Sequence, residues 1–95
     1  MAERVVVVGL GLIGGSLAKA LTGRAGCTVL GIDQNPAVVE KAVACGAIAR
    51  EADAADLRDA DVLYLCLYPQ ATIDFVRAHG AERRRFHTAA VSRRE

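Results

Sequence analysis

The chain is 95 residues long and 53% apolar, with 12 basic side chains against 11 acidic ones and a formal net charge of +1. That length admits one small domain or a piece of a larger one, and so apolar a composition excludes a disordered chain. Three cysteines, Cys27, Cys45 and Cys66, spaced 18 and 21 positions apart with no CxxC pair, exclude a disulfide framework and a zinc site; each is read as a small buried hydrophobe.

The first element lies in Val5 to Val8, four consecutive β-branched residues of the kind found in a parallel strand buried on both faces. Glycines follow at 9, 11 and 14, and the apolar residues then recur at helical spacing as Ile13, Leu17 and Leu21. A strand that hands over to a helix inside such a loop is built to hold a pyrophosphate. Gly9 permits the tight turn, Gly11 lets a phosphate approach, and Gly14 lets the helix pack closely, while N–H groups at the helix start face the anion.

The same run imitates a secretory signal, with Arg4 before an apolar stretch and Ala18-Lys19-Ala20 as a small-residue site. Glu3 in the region that should be basic, the interrupting glycines and Arg24 before Ala25-Gly26-Cys27 argue against that reading. With no run of about 18 apolar residues to span a bilayer, a cytoplasmic chain without a membrane partner is expected.

A second strand-like run, Thr28 to Ile32, ends at Asp33, which stands 24 positions after Gly9. An acid about 20 residues beyond the glycine loop is placed to accept hydrogen bonds from the adenosine ribose of a dinucleotide. The same carboxylate repels a 2′-phosphate, and neither Gln34 nor Asn35 supplies the cation an NADP site uses, so NAD is expected rather than NADP. Asp33 competes with Asn35 as the cap of the helix that starts at Pro36; Asn35 is better placed, which leaves Asp33 for the ribose.

Pro36 to Cys45 reads as a helix with Val39, Ala42 and Val43 on its apolar side and Gly46 as its stop, and Ala47 to Ala49 as a short third strand. Asp53, Asp56, Asp59 and Asp61 form a solvated acidic face without the spacing of a calcium loop, so no metal is expected. Val62 to Leu67 is a fourth strand, stopped by Tyr68-Pro69, and Thr72 to His79 is helical. These elements predict an α/β chain, a truncated Rossmann doubly wound parallel sheet of about four strands in the order 3-2-1-4. Residues 1–81 form the partial dinucleotide-binding domain. Residues 82–95, with five arginines against two glutamates, form a basic tail without a strand of its own. The tail has one aromatic residue, Phe86, and no recognition fold, so it is read as disordered and not as a nucleic-acid site; the open sheet edge offers a route to a homo-oligomer.

Three stretches together carry a family resemblance: Val5 to Leu21 with its Gly-Leu-Ile-Gly-Gly-Ser core, Gly31 to Asn35, and Asp61 to Thr72 with Cys-Leu-Tyr-Pro. They resemble the N-terminal half of prephenate dehydrogenases over residues 3–81. The resemblance implies an NAD-dependent oxidative decarboxylation in tyrosine biosynthesis: prephenate loses hydride to nicotinamide and carbon dioxide to the solvent, giving 4-hydroxyphenylpyruvate. A related branch acts on arogenate. It further implies Gly9, Leu10, Gly11, Leu12, Ile13 and Gly14 around the pyrophosphate, Asp33 on the ribose, and Leu67, Tyr68 and Pro69 along the nicotinamide side. The family's catalytic histidine and substrate-binding arginine lie in segments with no counterpart among these residues. His79 and His87 do not match by context, so no catalytic residue is assigned. The expectation is therefore a cofactor-binding portion without turnover of its own, from a frameshifted or prematurely ended gene, with prephenate or arogenate as partner only if the second half is supplied. The alternative is a stand-alone module that binds or senses NAD.

Overall fold

A computed structural model of the chain describes residues 3–66, 74–75, 77–78 and 87–88. Strand β1 (Glu3–Val8) is central and parallel to its neighbours on both sides: β2 (Cys27–Ile32), with Val6 opposite Leu30, and β3 (Val62–Leu65), with Val6 opposite Leu63. A two-residue strand, β4 (His87–Thr88), pairs in parallel with Tyr64 and Leu65, giving the sheet order β2-β1-β3-β4.

Because side chains alternate across a strand, the continuous apolar runs serve two cores. Val5, Val7 and Val29 face helices α1 (Leu12–Thr22) and α2 (Pro36–Ala44), meeting Ala18, Leu21, Val39 and Ala42. Val6, Val8, Leu30, Leu63 and Leu65 face the other way, toward Leu57 of helix α3 (Ala54–Asp59) and Phe75. Helices on both faces explain why β1 needs no polar alternation: Val5 to Val8 are at most 4% exposed. Each such burial is worth about 2 kcal/mol.

The expected order of parallel strands is present, with the predicted fourth strand realised as β3 beside β1, but the third strand at 47–49 does not form. The N–H groups of Ala47 and Ile48 turn back to the carbonyl of Ala42, at 2.9 and 3.4 Å, so they are taken up by the end of α2. Among the described residues one parallel bridge follows, between Gly31 and Glu51, with Ala49 N–H on Val29 O and Ala52 N–H on Gly31 O, both at 2.8 Å. The pairing of His87 and Thr88 lies in a tail whose local pattern offers no strand; it is set by register with β3, a long-range effect.

The acidic stretch corrects a second expectation. Asp53, Asp59 and Asp61 are exposed, but Asp56 is buried at 5% exposure. Asp53 and Asp56 form a reciprocal capping box at the start of α3, each side chain accepting the other's backbone N–H at 2.9 Å. Arg50 donates to both oxygens of Asp56, at 2.6 and 3.0 Å, and ties the bridge segment to α3. Asp61 accepts Arg4 N–H at 2.8 Å, which joins the entries of β1 and β3. Two apolar assignments also change: Val43 is 42% exposed, and Cys45 is exposed, not buried. Among the described residues, no helix is long and apolar enough to cross a membrane.

Candidate functional site

Three adjacent strands end at one edge of the sheet, at Gly9, Asp33 and Cys66. Gly9 N–H bonds Ile32 O at 2.9 Å and Cys66 N–H bonds Val8 O at 2.8 Å, so the sheet pairing holds up to the loop itself. Gly9 then takes φ 93°, a left-handed conformation that β-branched or bulky residues avoid, and the chain reverses into α1. A Cβ at Gly14 would fall inside the carbonyl of Gly9 and stand 3.3 Å from Cys66 Cβ. The first turn of α1 is thereby pressed onto the end of β1.

That turn is left open to an anion. Gly11 is the N-cap of α1 and makes no side-chain cap bond, whereas Asn35 caps α2 through Ala37 N–H at 3.0 Å and Asp53 caps α3. The first intrahelical bond runs from Gly15 N–H to Gly11 O at 2.7 Å, and helix geometry leaves the preceding N–H groups of Leu12, Ile13 and Gly14 without intrahelical acceptors. Among the described residues, Gly11 and its chain neighbours apart, nothing lies within 4 Å of the place a Gly11 Cβ would take. Uncapped donors, a clear approach and the positive end of the helix dipole fit a pyrophosphate.

Asp33 stands at the carboxyl end of β2, half-buried. Its Oδ2 accepts Leu10 N–H at 2.7 Å and its Oδ1 accepts Asn35 N–H at 2.9 Å. Asn35, not Asp33, caps α2, so the capping role that competed for Asp33 is filled. Each carboxylate oxygen keeps a further lone pair for a donor such as a ribose hydroxyl. Leu10 itself is 5% exposed, its side chain in the core against Gly31 and Ile48. Sequence reasoning grouped Leu10 with the loop but missed both of its attachments. The signal available was Gly31, since glycine inside a strand marks close approach by another group.

Cys66 flanks the loop from β3, and burial pushes its thiol up from the usual range. The side chains of Leu12 and Ile13, and the whole of Leu67, Tyr68 and Pro69, lie outside the described residues. The structure thus brings Gly9, Leu10, Gly11, Gly14 and Asp33 to one edge of the sheet.

The family model for the TrkA-N domain matches residues 5–64. Among solved structures, the chain is similar to Synechocystis arogenate dehydrogenase, with 27% identity and a TM-score of 0.80 over 93% of this chain and 33% of that one. It is similar to Mycobacterium tuberculosis 3-hydroxyisobutyrate dehydrogenase with L-serine, at 26% identity and a TM-score of 0.78 over 94% of this chain and 32% of that one. A third similar structure is A. aeolicus prephenate dehydrogenase in complex with hydroxyphenyl propionate and NAD+, at 28% identity and a TM-score of 0.73 over 87% and 30%. The chain spans about a third of the length of each of these enzymes. No curated protein sequence matches it.

Proposed function

The chain belongs to the TrkA-N domain family and is a dinucleotide-binding domain of Rossmann type, and from that premise we propose that it is the NAD-binding portion of a prephenate or arogenate dehydrogenase, serving tyrosine biosynthesis. The observation that carries the reading is the uncapped start of α1, held at the carboxyl edge of the sheet by the Gly9–Gly14 contact with Asp33 alongside. In this reading Gly9, Gly11 and Gly14, with the N–H groups of Leu12, Ile13 and Gly14, hold the pyrophosphate. Asp33 takes the adenosine ribose, and its charge disfavours the 2′-phosphate of NADP. Leu67, Tyr68 and Pro69 line the nicotinamide side. When bound, NAD supplies the carbon that accepts a hydride. The substrate and the group that takes its proton belong to the part of such enzymes that this chain does not span.

The likeness to the arogenate and prephenate dehydrogenases supports this choice, together with the Gly-Leu-Ile-Gly-Gly-Ser and Cys-Leu-Tyr-Pro segments. A second reading, the cofactor domain of a 3-hydroxyacid dehydrogenase, is favoured by the comparable likeness to 3-hydroxyisobutyrate dehydrogenase. The test is calorimetric titration of the purified chain with NAD and with NADP, followed by assay of NADH formation from prephenate, arogenate and 3-hydroxyisobutyrate. Tighter binding of NAD without turnover is expected. Turnover of any of the three by this chain alone would overturn both readings of it as a cofactor domain, and so would binding of neither dinucleotide.

A further inference from the structure

We propose that Asp33 is a positioning residue for the anion cradle as well as a ribose acceptor: its carboxylate clamps the glycine loop through Leu10 N–H, so that the two halves of the site are set as one unit. Two backbone donors converge on this side chain from different elements. Leu10 N–H comes from the loop after β1, at 2.7 Å to Oδ2, and Asn35 N–H from the entry to α2, at 2.9 Å to Oδ1. A position that receives two N–H donors needs two acceptor atoms. Asparagine has one carbonyl oxygen and one amide NH2, so in either orientation its NH2 meets a backbone N–H head-on. An acid is therefore required here before any dinucleotide binds.

The clamp acts on the segment that matters for anions. Leu10 is pinned twice, by its N–H on Asp33 and by its side chain over Gly31, and the next residue, Gly11, is the open N-cap of α1. Fixing Leu10 fixes where the uncapped donors point, and donors oriented in advance bind an anion without a further cost of ordering. The link to anion binding rests on the dinucleotide reading above, whereas the clamp itself does not.

The two roles of Asp33 predict opposite signs for one probe. Inorganic pyrophosphate has no ribose, so if Asp33 served the ribose alone, Asp33→Asn would leave pyrophosphate binding unchanged or tighten it by removing a negative charge. The clamp predicts weakening by about tenfold. A second measurement uses amide hydrogen exchange in the unliganded chain. Leu10 N–H is expected to be protected in the wild type although it lies in a loop, and to exchange at least about tenfold faster in Asp33→Asn, with the Val6 and Leu63 amides unchanged. An unprotected Leu10 amide in the wild type overturns the clamp even if the variant fails to fold. Pyrophosphate that binds Asp33→Asn as tightly as wild type, or does not bind the wild type, overturns the link to the cradle. Failure of NAD to bind while Leu10 protection still depends on Asp33 overturns the dinucleotide reading and leaves the clamp standing.

Discussion

Leu10 is seated directly over Gly31: a Cβ added at Gly31 would stand 2.9 Å from Leu10 Cδ1 and 3.0 Å from Cδ2, with Ile48 Cγ2 also at 3.0 Å. Gly31, the penultimate residue of β2, is therefore a seat for the loop that follows β1. One contact joins the core of the domain to the geometry of the candidate site.

Gly31→Ala is expected to lower stability by about 1–3 kcal/mol through overpacking, and Leu10→Ala by about 2–5 kcal/mol through the cavity it leaves. Leu10→Ala removes two of the three atoms that the methyl group added by Gly31→Ala would strike, leaving Ile48 Cγ2, so the double variant is expected to lose less than the sum of the two. Urea unfolding of the four proteins measures this, and strict additivity would show that the contact is not shared.

Gly14→Ala and Gly11→Ala separate folding from binding. The first drives a methyl group into the Gly9 carbonyl and is expected to destabilise the fold by about 1–3 kcal/mol or more. The second meets nothing within 4 Å among the described residues beyond its own chain neighbours. It should keep near-parental stability while weakening NAD about tenfold, since its methyl group occupies the approach of the phosphate. Thermal unfolding together with calorimetric titration distinguishes them; parental affinity in Gly11→Ala would remove that residue from the cradle.

Asp33→Ala is expected to weaken NAD more than NADP, because it removes the ribose acceptor for the first and a repulsive charge for the second. Dissociation constants for both dinucleotides, measured side by side, test this. Equal losses would take Asp33 out of ribose recognition.

Acid stability should report the Arg50–Asp56 pair. The Arg50 guanidinium holds the Asp56 carboxyl well below the usual carboxylate range, helped by the backbone N–H of Asp53. In the unfolded chain the carboxyl takes up its proton near pH 4, at about 3.9. The pair's contribution is therefore complete above about pH 4 and lost progressively as the pH falls below it, toward the depressed folded value. Asp56→Asn keeps an oxygen for the Asp53 N–H but loses the charge and the second acceptor that face Arg50, and is expected to lower stability modestly at neutral pH. It should also flatten the decline of stability between about pH 4 and pH 2. Urea midpoints at several acid pH values measure both effects, and an unchanged pH slope would show that the pair contributes nothing.

Much of the fold was legible in the residues. Four consecutive valines announce a strand buried on both faces, the glycines mark the hand-over to α1, and Asn35-Pro36 marks the start of α2 with its cap. The misreadings share a cause. Ala47 to Ala49 carries a strand-like pattern, but its first N–H groups are consumed by the end of α2. Asp56 has the look of a surface acid, but it is buried because Arg50 reaches it from outside α3.

The sequence by itself determined the order of elements, the parallel sheet and the glycine loop, because apolar periodicity and backbone freedom are local properties of consecutive residues. Only the tertiary structure decided that Leu10 turns inward onto Gly31 and that Asp33 commits a lone pair to Leu10 N–H, 23 positions away. It likewise decided that Gly14 meets the Gly9 carbonyl and that His87 and Thr88 join β3. Those are contacts between elements, and their partners are set by how the sheet and helices pack, which no local pattern of residues records.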